Sequence, residues 1–184
     1  MLLHWDQMVL HYGAEIGAYR QQFVTAGQTT SALLCCRFAP GDYLLRPSSG
    51  DHAEARLLES EIWTEQIPQA LADWDPRGNR IVVTIAINRS PCRNCTQLLV
   101  GALNALHRRF PVSCDANRFI LASRGAYEDN AMEVSTTRNG LIRLRDAGWE
   151  LCVLQVEAAL SARGRILLEG LEGIGQRGFI RLEG

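Results

Sequence analysis

Lysine is missing altogether: the 19 Lys+Arg positions of this 184-residue chain are all arginine. A GC-rich gene alone produces that bias, so the absence by itself assigns no function. No apolar run approaches the roughly 18 residues of a membrane-spanning helix, so no membrane partner is expected. The opening MLLHWDQMVLHYG has no basic n-region and is broken by Asp6, a poor match to a secretory signal. A domain cut from a larger secreted protein would read the same way. Six cysteines are too few for a disulfide scaffold, which points to a reducing compartment or a metal. There is no internal repeat and no second CxxC, so a closed four-ligand structural zinc site is hard to assemble. The formal net charge of −1 argues against a strongly basic nucleic-acid binder.

The charge that is present is unevenly placed. Residues 1–76 carry 4 Arg against 10 acids, residues 77–145 carry 11 Arg against 4 acids, and residues 146–184 return to a net −2. The basic segment is the one that contains Cys92 and Cys95. Arginine's planar fork suits phosphate and base stacking. Arg89, Arg93, Arg124 and Arg138, which flank the motifs described next, are the candidates for a polyanion.

The length suits one domain with a real core, and the 47% apolar content is that of an ordinary globular protein. Trp5, Met8, Val9, Tyr12, Ile16, Tyr19 and Phe23 fall at helical spacing, predicting one helix within residues 1–28. TTSALLCCRFAPGDYLLRP reads as a hairpin, and Ala53, Leu57, Leu58, Ile62 and Trp63 as the apolar face of a second helix. Residues 80–87 form a β-branched run bounded by turn signals, as a central strand would. SPCRNCTQLLVGALNALHRRF predicts a helix capped by Ser90 with Pro91 at its first position. Strands at 118–123 and WELCVLQV flank a helix that ends at Gly148. The core therefore spans 29–156, followed by a C-terminal helix and a glycine-rich tail, 157–184, whose end reads as disordered. The element order predicts a three-layer α/β/α sandwich around a mixed sheet of about five strands. The last two strands are separated by about 25 residues including a helix, which requires them to be parallel.

Two short stretches carry chemistry. In SGDHAEARLLES, Asp51 and Glu54 have the spacing of a capping box, yet the same residues spell His52-x-Glu54. In SPCRNC, Cys92 and Cys95 lie three apart at a helix start, where the dipole lowers thiol pKa and favours metal-binding thiolates. A lone CxxC is also compatible with a redox motif, half a zinc knuckle or two buried thiols. His4, His11, His52 and His107 are the other candidate ligands. One His with two Cys leaves a fourth position open, the arrangement of a catalytic zinc. Glu54 would face that position without being a ligand and move a proton there.

His52–Ala53–Glu54 followed by Pro91–Cys92–Arg93–Asn94–Cys95 resembles the signature of zinc-dependent nucleobase deaminases. FILASRGAY, NGLIRLRDAGWELCVL and SPCRNC are similar to segments of the AID/APOBEC-like polynucleotide cytosine deaminases, over roughly residues 30–155. The short, aromatic-poor chain and glycine-rich tail resemble bacterial, toxin-type relatives more than vertebrate ones. The resemblance implies a cytidine deaminase fold, zinc on His52, Cys92 and Cys95, and conversion of cytosine to uracil in DNA with Glu54 as proton shuttle. It implies that Tyr127 stacks on the nucleotide 5′ of the target. It also implies that the Ser90 carbonyl meets the exocyclic amine and the Ala53 amide the ring carbonyl. Relatives often place Asn before the His; here Arg46, Ser48 or Ser49 would have to serve, and Arg89 replaces a usual aromatic. A monomer in the cytoplasm, or delivered into a target cell's cytoplasm with an immunity protein as counterpart, follows from the same likeness. A free cytidine or nucleotide deaminase, and a non-enzymatic zinc-stabilised nucleic-acid-binding module, are the alternatives.

Overall fold

The computed structural model describes residues 1–24, 29–126 and 131–182. Strand β2 (Ser31–Ala39) is paired on both sides, and its adjacent residues point to opposite faces. Leu34 and Cys36 enter one core with Ile85 of β4, while Leu33 and Cys35 enter the other with Trp5, Met8 and Tyr12. A strand buried on both faces needs helices on both, and that requirement makes the three layers.

The sheet order is β1-β6-β5-β4-β2-β3. β2 pairs antiparallel with β3 (Asp42–Ser49) and with β4 (Val82–Ile87). β4 and β5 (Arg118–Ser123) are parallel, as are β5 and β6 (Glu150–Gln155). The crossover argument for the last two strands is therefore correct. Among the described residues the sheet has six strands where about five were expected. Leu2–His4 forms β1, parallel to β6 along Val153–Gln155. Three residues at the head of a helical pattern carry no strand periodicity, so pairing alone reveals it.

Helices α3 (Ala53–Leu58), α4 (Ile67–Ala72), α5 (Arg93–Arg109), α6 (Pro111–Ala116), α7 (Ala131–Asp146) and α8 (Ala162–Gly173) follow the strands in chain order. The predicted single N-terminal helix is instead α1 (Trp5–Tyr12), a 3-10 segment Ala14–Tyr19, and α2 (Arg20–Val24). Gly13 causes the break. It adopts φ +94°, and a β-carbon there would come within 2.5 Å of the Tyr43 hydroxyl. Gly148 ends α7 as predicted, at φ +103°, with Trp149 N–H donating to the Leu144 carbonyl at 3.1 Å. Part of the glycine-rich tail, whose end was expected to be disordered, bridges to β1 at Leu2 and Phe179. There Leu2 N–H donates to the Gly178 carbonyl, Ile180 N–H donates to the Leu2 carbonyl, and Ile180 is buried. Among the described residues no helix is long and apolar enough to cross a membrane.

Candidate metal centre

β3 runs into α3 through Gly50, Asp51 and His52. The expected capping box does not form: α3 begins at Ala53, His52 takes the cap position, and no side chain caps it. His52 has φ 54° and ψ 44°, the only non-glycine at positive φ among the described residues. A β-carbon disfavours that conformation by about 1–2 kcal/mol, so the surrounding structure must impose it. Arg56 helps to do so, its Nη1 donating to the Ser49 carbonyl at 2.9 Å across the turn. The His52 ring stays exposed at the rim, while Glu54 turns inward and is only 4% exposed.

The second helix start is built differently. α5 begins at Arg93, not at Pro91, and Cys92 rather than Ser90 is its cap residue, with ordinary extended backbone at φ −67° and ψ 172°. Ser90 is buried and its N–H donates to the Gly125 carbonyl at 2.7 Å. Arg124 N–H donates to the Ile87 carbonyl at 2.9 Å. These bonds tie the turn before α5 to the loop after β5, so Ser90 and Pro91 span the gap between strand and helix. Cys95 lies in the first turn of α5 and is buried.

α3 packs on α5, and the two starts meet. His52 Nδ1 lies 3.1 Å from Cys95 Sγ and 3.6 Å from Cys92 Sγ, and the three donor atoms all fall within 4.8 Å of one another. Tetrahedral zinc, with Zn–N near 2.0 Å and Zn–S near 2.3 Å, separates nitrogen from sulfur by about 3.6 Å. The group therefore fits one ion, and two sulfurs with one imidazole suit zinc chemically. Three ligands leave a fourth position open. The Glu54 carboxylate lies against the Cys95 thiol, and its Oε2 is buried with no hydrogen-bond partner among the described residues. A buried acceptor without a donor is costly, and a bound water or substrate is the natural donor beside such a centre.

In the metal-free chain the helix start does not by itself set the state of Cys95. Burial pushes its thiol well up, and the Glu54 charge and the Cys92 hydrogen bond act in the same direction. In the metal-free chain desolvation outweighs the helix dipole, so a metal must displace the Cys95 proton to bind.

No family model matches the chain, and no curated protein does.

The other candidate residues are spread around this centre. Ala53 is fully buried at the first position of α3, where its N–H has no intrahelical acceptor. Arg46, Ser48 and Ser49 line a cavity of about 510 Å³ with Tyr19, Gln22 and Arg56. Those last three were not among the residues expected from the sequence. Tyr19 reads as one more apolar position of a continuous helix until the break at Gly13 is known. Arg93 is exposed at the start of α5, and Arg89 is half-buried. Of the arginines proposed for a polyanion, Arg124 pairs with Glu157 at 2.7 Å, Arg138 donates to the Gly173 carbonyl at 3.1 Å, and Arg89 is engaged as well. Tyr127 lies outside the described residues.

Proposed function

We propose that this chain is a zinc-dependent hydrolase that converts cytosine to uracil in DNA, single-stranded or locally opened. The observation that carries the reading is Glu54, a buried carboxylate with an unpartnered oxygen beside three donors that leave a coordination position open. Held by His52, Cys92 and Cys95, zinc supplies a Lewis acid that lowers the pKa of water. Glu54 takes a proton from the water that adds to C4 and delivers it to N3. The proton of the new C4 hydroxyl, passed to the exocyclic nitrogen, lets the C4–N bond break as the C4 carbonyl forms and ammonia leaves. Cytosine and water become uracil and ammonia, with no redox partner. The Ala53 N–H orients the ring carbonyl, and the Ser90 carbonyl receives the amine before it leaves.

The order His52-x-Glu54 then Pro91-Cys92-x-x-Cys95, each half at a helix start, supports the deaminase class. The parallel β5–β6 pair and the exposed Arg46 and Arg93 support an AID/APOBEC-like polynucleotide substrate. The engagement of Arg124 and Arg138 favours a second reading, a free cytidine or nucleotide deaminase. One panel separates them: zinc-loaded protein offered cytidine, its monophosphate, and single- and double-stranded oligonucleotides, with uracil read by sequencing or chromatography. Conversion of oligonucleotides that Glu54→Gln abolishes supports the DNA reading. Conversion of the free nucleoside alone transfers the assignment to the second. No conversion of any substrate leaves a zinc-stabilised binding module. A toxin role predicts mutation or death of bacteria expressing the active chain, relieved by Glu54→Gln.

A further inference from the structure

The end of the sheet away from the metal centre carries a second polar site. Arg37 of β2 is in register with Val82 of β4, and Val82 with Arg118 of β5. Residues on one rung of neighbouring strands share a face, and Val82 belongs to the core that includes Trp5, Met8 and Tyr12 of α1. Both arginines therefore sit on the side of the N-terminal layer. Arg80, two residues before Val82, joins them around a cavity of about 370 Å³ that His11 and Asn79 also line. Val82 is five residue steps from Ile87, the end of β4 nearer the metal ligands, a distance of about 17 Å. The cavity is separate from the metal centre.

Its charges are not balanced from within. Arg118 is neutralised, with Nε and Nη2 donating to the Glu150 carboxylate at 2.7 and 2.6 Å and Nη1 to the Arg181 carbonyl at 2.7 Å. Arg37 has no carboxylate among its hydrogen bonds: its Nη1 lies 2.8 Å from His11 Nδ1 and 3.4 Å from the His11 carbonyl. A guanidinium has only donors, so Nδ1 accepts and that imidazole is neutral. Arg80 is exposed and pairs with no described residue. Among the described residues no carboxylate lines the cavity. Two uncompensated guanidinium groups around one hollow repel each other unless an anion lies between them.

We propose that this cavity binds the phosphate group of a small phosphorylated molecule, with Arg37 and Arg80 as its charged forks and Arg118 as a fixed wall. Planar guanidinium groups match phosphate oxygens two at a time. The volume falls within the roughly 300–1,000 Å³ of small-molecule sites. The site does not depend on Glu54 or on zinc chemistry.

Calorimetric titration of the zinc-loaded chain at constant ionic strength tests it, with inorganic phosphate and a cytosine-free purine nucleoside 5′-monophosphate as probes. Saturable binding of either is expected; binding of both identifies the phosphate group alone as the ligand, and binding of the nucleotide only identifies a larger one. Arg80→Glu and Arg37→Gln should each weaken it about tenfold or more, the worth of a charge-assisted hydrogen bond. Arg80 is exposed and unpaired, so its variant keeps the test decisive if Arg37→Gln does not fold. Glu54→Gln should bind as tightly as the wild type, which separates this site from the deaminase reading. No saturable heat, or affinity indifferent to Arg80→Glu, overturns the proposal. So does binding confined to oligonucleotides, which would make this face part of a polynucleotide track.

Discussion

The two helix starts that meet at the metal centre do comparable work with different backbone. α5 places two candidate ligands, Cys92 and Cys95, in one ordinary turn, because residues three apart on a helix already face the same way. On the proposed reading, α3 has to place a ligand and a proton carrier only two residues apart. On a regular helix such residues point about 200° away from each other. The left-handed backbone at His52 removes that conflict, taking the imidazole out of the helical pattern while Glu54 stays in the first turn facing inward. A local strain thus lets one short stretch hold two roles, where the other start needs none.

The largest expected effect separates those roles. Glu54→Gln should lower turnover by about 10²- to 10⁴-fold, the usual worth of a positioned acid/base, while zinc content stays at one per chain. Parallel activity assays and metal analysis check both halves. Zinc lost along with activity would mean that Glu54 serves the metal rather than the proton. At the other start, Cys95→Ser should abolish stoichiometric zinc and lower the melting temperature of the zinc-loaded protein toward that of the chelated wild type. A variant that still holds one tight zinc would show that Cys95 is a core thiol and not a ligand.

The contrast also explains what was legible in the residues. The pattern of donors could be read directly, because His, Glu and two Cys in that order constrain chemistry strongly, and the parallel pairing of β5 with β6 followed from the length of the crossover between them. The conformation of the α3 start could not be read. Asp51 and Glu54 satisfy the local rule for a cap, and only tertiary packing of α3 on α5 makes the inward turn of Glu54 win. β1 escaped because Leu2–His4 is too short to show alternation and exists through its pairing with β6. The internal partners of Arg124 and Arg138, Glu157 and Gly173, are more than 30 residues away in sequence, beyond any local signal.

Acidity gives a smaller, graded effect on the α5 side. Burial and the Glu54 carboxylate hold the Cys95 proton on, so zinc must displace it. Protons compete with metal, and the sign follows: affinity rises with pH, by about tenfold per unit for that proton, between about pH 6 and 8. Competition with a calibrated chelator across that range measures the slope. A flat profile would mean that the Cys95 thiolate already exists without metal and that the helix dipole, not burial, governs it.

The smallest effect tests the strain itself. In chelated protein, His52→Gly and His52→Ala both lack the ligand, and the same pair at Cys92 provides the comparison. Glycine is favoured over alanine at any helix cap, so that preference is common to both positions and cancels. Only position 52 has left-handed backbone, where alanine carries a penalty of about 1–2 kcal/mol that glycine escapes. The glycine-minus-alanine difference in urea unfolding free energy should therefore be larger at position 52 than at position 92 by about 1 kcal/mol, near fivefold in the folding equilibrium. Equal differences would mean that the α3 start relaxes without metal and that zinc, rather than the fold, imposes the left-handed turn. The strain would then be met on metal binding, and His52→Gly would give no gain over His52→Ala beyond the common cap preference.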